Sequence, residues 1–191
     1  MRFETRRKLV HVLEGVLGIA VIYLDLQPLA VFSALLMVGI VLSYAAREGD
    51  HPFLDFFVDR LGREDPTLPG QGSLFMLAGF IAAVLVLPAE AAMAAVATVA
   101  FGDSAAAFIG RYYGRTRNPL NDGKTVEASV AGFVLSSFAA GFFVSPGSAV
   151  LMSFAAMVVE AWPAHLGGYE LDDNFSMPVV AALVYLLVHG L

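Results

Sequence analysis

The chain has 191 residues, of which 58% are hydrophobic and only 15% are charged. A soluble domain of this size carries about 25% charged residues, so the apolar excess has no soluble core to fill and must face lipid. No cysteine is present, which excludes disulfides and thiolate metal sites; the net charge of -6 says little where basic residues gather in a few places.

Seven apolar segments follow in chain order, roughly 9–24, 29–46, 73–88, 89–109, 126–144, 147–162 and 177–190. A membrane span needs about 20 such residues, or fewer when flanking groups snorkel. The first segment follows "MRFETRRK" and has no small-residue cleavage site, so a cleavable signal peptide is not expected. "DLQP" (25–28), "LPAE" (87–90) and "SPGS" (145–148) read as tight turns. Between the second and third segments, "HPFLDFFVDRLG" sets Phe53, Leu54, Phe57 and Leu61 at helical spacing, with Asp55, Asp59 and Arg60 between them. That pattern predicts a short amphipathic helix on the membrane surface. The expected fold class is all-α: a polytopic membrane helix bundle of about seven transmembrane helices, forming one integral-membrane domain over 1–191.

The basic residues orient it. Arg2, Arg6, Arg7 and Lys8 precede the first segment; Arg47, Arg60 and Arg63 fall between the second and third; Arg111, Arg115, Arg117 and Lys124 fall between the fourth and fifth. Together these are all 11 Lys and Arg of the chain. With seven spans the three regions share one side, and the positive-inside rule makes that side cytoplasmic. The N-terminus is then inside and the C-terminus outside.

Four polar clusters lie at the cytoplasmic ends. In the first, Arg7, His11 and Glu14 stand at i, i+4 and i+7 on one helix face, with Lys8 beside His11. Basic residues at a helix entrance ordinarily anchor topology, which accounts for Arg6, and an internal ion pair would account for His11 and Glu14. Ionisable groups inside a span are nevertheless functional candidates by default.

The second is "FGDSAAAFIGRYYG" (101–114). Gly102, Ala106 and Gly110 form a stripe of small residues that admits another helix or a ligand. Helix packing explains the glycines but not Asp103. The third, "GRYYGRTRNPLNDGKTVEAS", is a basic loop running into the fifth helix. Free N–H groups at a helix start attract phosphate, and Lys124 adds a point charge. A positive-inside loop accounts for Arg111, Arg115 and Arg117, less well for Lys124. "GKT" (123–125) is not a Walker A motif, because position 118 is Asn and a membrane loop, rather than a strand, is expected before it.

The fourth is "EAWPAHLGGYELDDNFSMP". Glu160 ends the sixth segment, and Asp172, Asp173 and Asn174 precede the seventh. Asp and Asn are common N-caps, but carboxylates facing a basic phosphate loop also suit Mg²⁺, which takes one or two of them plus phosphates and waters. Cations, carboxylates and a basic loop meeting at one face are what phosphoryl transfer requires. The apolar body points to a lipid acceptor.

At this point "RKLVH" (7–11), "GDSAAAFIGRYYGR" (102–115), "GKTVEAS" (123–129) and "DNFSMP" (173–178) resemble the CTP-dependent polyprenol kinase family, which includes dolichol, phytol and farnesol kinases and a CTP-dependent diacylglycerol kinase. The motifs stand in the family's order over most of the chain; Ala128 replaces the family's usual Gly. The resemblance implies roles for Arg7, Lys8, His11, Gly102, Asp103, Gly110, Gly114, Lys124, Thr125, Glu127, Asp173, Asn174 and Pro178.

The leading expectation is a multi-pass membrane kinase with its active site on the cytoplasmic face, moving the γ-phosphoryl group of CTP to a polyprenol-type hydroxyl. Its partners are a lipid alcohol, a nucleotide and the bilayer, with no nucleic acid. Lys124 and the 111–125 loop, including Arg111, Gly114, Arg115, Gly123 and Thr125, would hold CTP, together with Arg7, Lys8, Gly102, Gly110 and Asn174. Asp103 and Asp173, with Glu127 or Glu160, would hold Mg²⁺. A carboxylate or His11 would orient or deprotonate the acceptor. The alternatives are a CTP-dependent lipid-phosphate cytidylyltransferase, a diacylglycerol kinase, and a small ion-coupled transporter. A transporter would scatter ionisable groups towards mid-membrane, whereas here most stay at one face.

Overall fold

The computed structural model describes residues 2–48, 68–119, 121–162, 165–166, 169–170 and 172–190. The amphipathic segment expected around 53–61 lies outside the described residues, as do Arg60 and Arg63.

Among the described residues the chain forms seven helices and two short antiparallel ribbons. The helices are α1 (Arg2–Tyr23), α2 (Pro28–Glu48), α3 (Gln71–Val86), α4 (Ala89–Tyr113), α5 (Val126–Ala140), α6 (Pro146–Ala161) and α7 (Asp173–His189). Each contains or overlaps one of the seven apolar segments. The ribbons pair β1 (Arg117–Asn118) with β2 (Asn121–Thr125), and β3 (His165–Leu166) with β4 (Tyr169–Glu170). The first ribbon corrects the expectation that 111–125 is all loop. The rejection of Walker A is unaffected, because position 118 is Asn and "GKT" lies inside β2 rather than in a loop between strand and helix.

The three expected turns join helices, and their chemistry is local. Asp25 and Gln27 take positive φ at 48° and 51°, and Pro28 then opens α2 with the fixed φ that suits a first helical position. Leu87 closes α3, and Pro88 caps α4. Ser145 caps α6, its hydroxyl accepting from the Ser148 N–H at 3.3 Å, with Pro146 as the first helical residue.

Helix α4 is the axis of the bundle. It packs against α5, α1, α7, α6 and α3. From Ala91 to Ala100 every side chain is buried, and the alanines among them let neighbours approach closely. Two glycines let α4 and α5 approach each other: a methyl on Gly132 would stand 2.9 Å from the Gly102 carbonyl oxygen. Helix α2 sits outside, packed on α3 through the edge-to-face pair Phe32 and Phe80, 5.5 Å between centroids.

The outer surface is apolar. Leu13 and Leu17 on α1, Met37 and Val41 on α2, Val134 and Phe138 on α5, Phe154 on α6 and Leu187 on α7 are all exposed. Among the described residues two helices, α2 and α4, are long and apolar enough to cross a membrane by themselves.

Candidate active site

The site is assembled at one end of the bundle, where α1 begins, α4 and α6 finish, and α5 and α7 start. Ribbon β1–β2 delivers Lys124 there. Val126 N–H donates to the Thr116 carbonyl at 2.9 Å, and Thr125 caps α5 by accepting from Ala128 N–H at 3.3 Å. The lysine is thereby fixed one residue before a helix cap. Gly114 ends α4 under this corner, where a methyl group would lie 2.6 Å from Thr125 Oγ1.

A polar cavity of about 390 Å³ opens here. Its charged lining comprises Arg7, Lys8, Arg111 and Lys124 against Asp103, Glu160 and Asp173. Gly110, Gly123 and Thr125 also face it. With every charged group ionised, four cations against three carboxylates leave one positive charge in excess, which favours an anion.

Two lysine–carboxylate pairs organise the charges. Lys8 on α1 pairs with Asp103 on α4, both largely buried, and Ser104 Oγ donates to the Lys8 carbonyl at 3.3 Å. Lys124 Nζ lies 2.7 Å from Glu160 Oε1 and 3.5 Å from Asp173 Oδ2, and also donates to the Glu160 carbonyl. Burial alone would push the Lys124 ammonium down; the carboxylates of Glu160 and Asp173 outweigh it and raise its pKa above the ordinary lysine value.

The carboxylates of Asp103, Glu160 and Asp173 converge, with one oxygen from each lying within 4.8 Å of the others. Glu160 Oε2 is buried and has no hydrogen-bond partner among the described residues. Three hard oxygen donors, one with an unsatisfied oxygen, fit a divalent cation such as Mg²⁺.

Other expected residues stand apart from the cavity wall. His11 is buried with Nδ1 3.1 Å from Asn174 Oδ1, and Asn174 donates from Nδ2 to Asp172 Oδ1 at 2.7 Å. Asp172 is the N-cap of α7 and also accepts from Asn174 N–H. Pro178, within α7, packs over Gly79 of α3. Gly102 faces Ser136 and Met157, which places it in the helix contact. The Glu127 carboxylate accepts from Thr116 N–H at 3.1 Å, Thr116 Oγ1 at 2.9 Å and Arg115 N–H at 3.3 Å, so it holds the turn after α4. Sequence reasoning missed Ala107 and Ala128, which form apolar wall between the charges. Ala107, four residues from Asp103, was findable by continuing that residue's helical face.

Comparison with known proteins gives a consistent picture. The chain is 28% identical over 206 residues to a rice protein named probable phytol kinase 1, chloroplastic, covering 96% of this chain and 64% of the relative. It is 29% identical over 204 residues to a maize protein named probable phytol kinase, with 95% and 66% covered. It is 27% identical over 215 residues to Arabidopsis phytol kinase 1, with 96% and 66% covered. This chain thus spans about two thirds of the length of the relatives it matches. No family model and no solved structure matches it. Similarity to phytol kinases along nearly the whole chain is consistent with the CTP-dependent polyprenol kinase family that the four motifs resemble.

Proposed function

We propose that the chain is an integral-membrane lipid-alcohol kinase that transfers the γ-phosphoryl group of CTP to the hydroxyl of a polyprenol-type alcohol. The observation that carries this reading is the meeting of Lys124 with the carboxylates of Asp103, Glu160 and Asp173 in one basic cavity at the end of an apolar bundle. The names of the relatives support kinase chemistry on a lipid alcohol.

All seven helices span the bilayer in this reading, with the cavity on the cytoplasmic side and the C-terminus outside. The exposed apolar side chains supply the lipid-facing surface. Helices α3, α5, α6 and α7 have 15 to 17 residues. At 1.5 Å per residue they reach about 23–26 Å, slightly short of a hydrocarbon core of about 30 Å, a mismatch met by local thinning and by polar flanks.

Lys124, Arg7 and Arg111 bind the phosphate oxygens, and the ribbon and Gly123 bring backbone close to them. Asp103, Glu160 and Asp173 would hold Mg²⁺, which would neutralise phosphate charge when bound. The acceptor oxygen attacks the γ-phosphorus, the bond from that phosphorus to the β-phosphate oxygen breaks, and CDP leaves. The hydroxyl proton passes to a cavity carboxylate. His11, which does not line the cavity, orients the start of α7 through Asn174.

The test is purified protein with CTP or ATP, labelled at the α or the γ phosphorus, and a panel of prenols, diacylglycerol, a prenyl phosphate and phosphatidate. The kinase reading expects γ label in a prenyl phosphate and CDP as co-product. Label from the α position in the lipid, with release of pyrophosphate, would instead establish nucleotidyl transfer and overturn it.

A further inference from the structure

Beside the polar cavity lies a second, smaller hollow of about 140 Å³ between α1 and α4. Leu9 and Val12 line it from α1, and Ala107, Phe108 and Tyr112 from α4. Lys8, Ala107 and Arg111 line both this hollow and the polar cavity. The two hollows therefore meet along these three residues, beside the ion pair that Lys8 makes with Asp103 of the polar cavity. Its outer end is open: Leu9 is 64% exposed and Phe108 49%, and the exposed apolar face of α1 continues through Leu13, Val16 and Leu17. Phe108 and Tyr112, with ring centroids 4.8 Å apart, form the outer wall. Thr5 Oγ1 and Tyr112 OH, 3.5 Å apart, bridge the two helices at the exposed end.

We propose that this groove seats the first isoprene unit of the acceptor alcohol, with its hydroxyl at the Lys8–Asp103 pair and the rest of its chain running out into the bilayer past Leu9 and Phe108. The inference rests on the lipid-kinase reading and adds to it the place where the acceptor binds. The wall through Leu9, Val12, Ala107 and Phe108 is apolar, with Lys8 beside it, which fits a molecule whose chain is apolar and whose one polar group reaches Lys8. Ala107, which lines both hollows, has no side chain beyond Cβ to divide them.

The bilayer makes the groove's selectivity unusual. Lipid tails are about as apolar as Leu and Phe, so moving a prenyl tail from bilayer to groove gains little by hydrophobic transfer. Recognition then depends on the shape of the unit next to the hydroxyl and on the polar contacts of the hydroxyl. Tail length beyond the groove contributes little. Turnover of ten-, fifteen- and twenty-carbon prenols at equal mole fraction in vesicles should agree within about threefold.

Two measurements decide the matter. The first uses wild-type protein in phosphatidylcholine vesicles with a prenol carrying a diazirine on its first isoprene unit. After irradiation, peptide mapping should find the label on residues 5–12 and 104–112, and unlabelled prenol should suppress it. The second is Val12→Trp, which fills the groove without touching the polar cavity. Its KM for prenol should rise about tenfold or more, with the KM for nucleotide unchanged. Val134→Trp, on the exposed face of α5, is the control and should match wild type. Label on other helices, or a folded Val12→Trp with normal prenol KM, would overturn the groove. If Val12→Trp does not fold, the labelling alone decides. Failure of the kinase reading looks different: no prenol-dependent CDP release by wild type, whatever the labelled positions.

Discussion

Lys124 grips Glu160 twice, by an ion pair of 2.7 Å to the carboxylate and by a hydrogen bond to the backbone carbonyl of the same residue. This ties the start of α5 to the last turn of α6. It also means that the lysine has two separable duties, neutralising a buried carboxylate and presenting a cation to the cavity.

Lys124→Ala should lower turnover by about 100-fold or more, the usual scale for losing one charge-stabilising donor. Protein abundance in the membrane should stay near normal, because Glu160 can take a proton in place of its lost partner. Lys124→Arg should not restore full activity, since the two cations differ in shape and reach. The double variant Lys124→Ala/Glu160→Gln should regain detergent thermal stability without regaining turnover. Near-normal turnover in Lys124→Ala would reduce the segment to a topology signal.

Asp103→Asn keeps the side chain's shape and removes its charge. It should fold, lose most turnover, and show weaker Mg²⁺-dependent binding of CTP. The pairing with Lys8 gives the structural alternative a concrete form. Under that alternative the variant would lose thermal stability in metal-free detergent while binding CTP and Mg²⁺ normally. Calorimetric titration of the folded fraction distinguishes the two.

Glu127 should behave unlike Asp103. Its carboxylate holds Thr116 and Arg115 rather than lining the cavity. Glu127→Gln keeps one acceptor and should raise the KM for nucleotide about fivefold, the equivalent of one hydrogen bond of ~1 kcal/mol, with kcat little changed. A collapse of kcat at constant KM would instead place this carboxylate in the chemistry.

A topology reporter fused after Leu191 should read as extracytoplasmic. All three basic regions then lie inside, as the positive-inside rule requires. A cytoplasmic signal would mean that one of the last two helices does not span, and would separate Glu160 from Asp173.

The helices were legible because their apolar runs are long and their turns carry Pro and Gly chemistry that acts locally. Asp172 could be read as a cap for the same reason. The site was legible by residue type but not by pairing: Lys8 and Asp103 are 95 residues apart, and no periodicity links them. Ribbon β1–β2 escaped notice because its strands have two and five residues and only the register Arg117 to Thr125 and Asn118 to Asn121 holds them. Glu127 entered the candidate set through the resemblance of "GKTVEAS"; after the helix cap at Thr125 its carboxylate holds Thr116 instead.

The alanine-rich stretch Ala91–Ala100 has a consequence for timing. Walled in on every side by other helices, its amide protons have no route to solvent short of dismantling the bundle. Asp103, three residues further on, is therefore mounted on the slowest part of the molecule. Lys8 on α1 and Lys124 on its ribbon are carried by elements outside that stretch. Deuterium should enter α1 and residues 115–125 long before it enters α4.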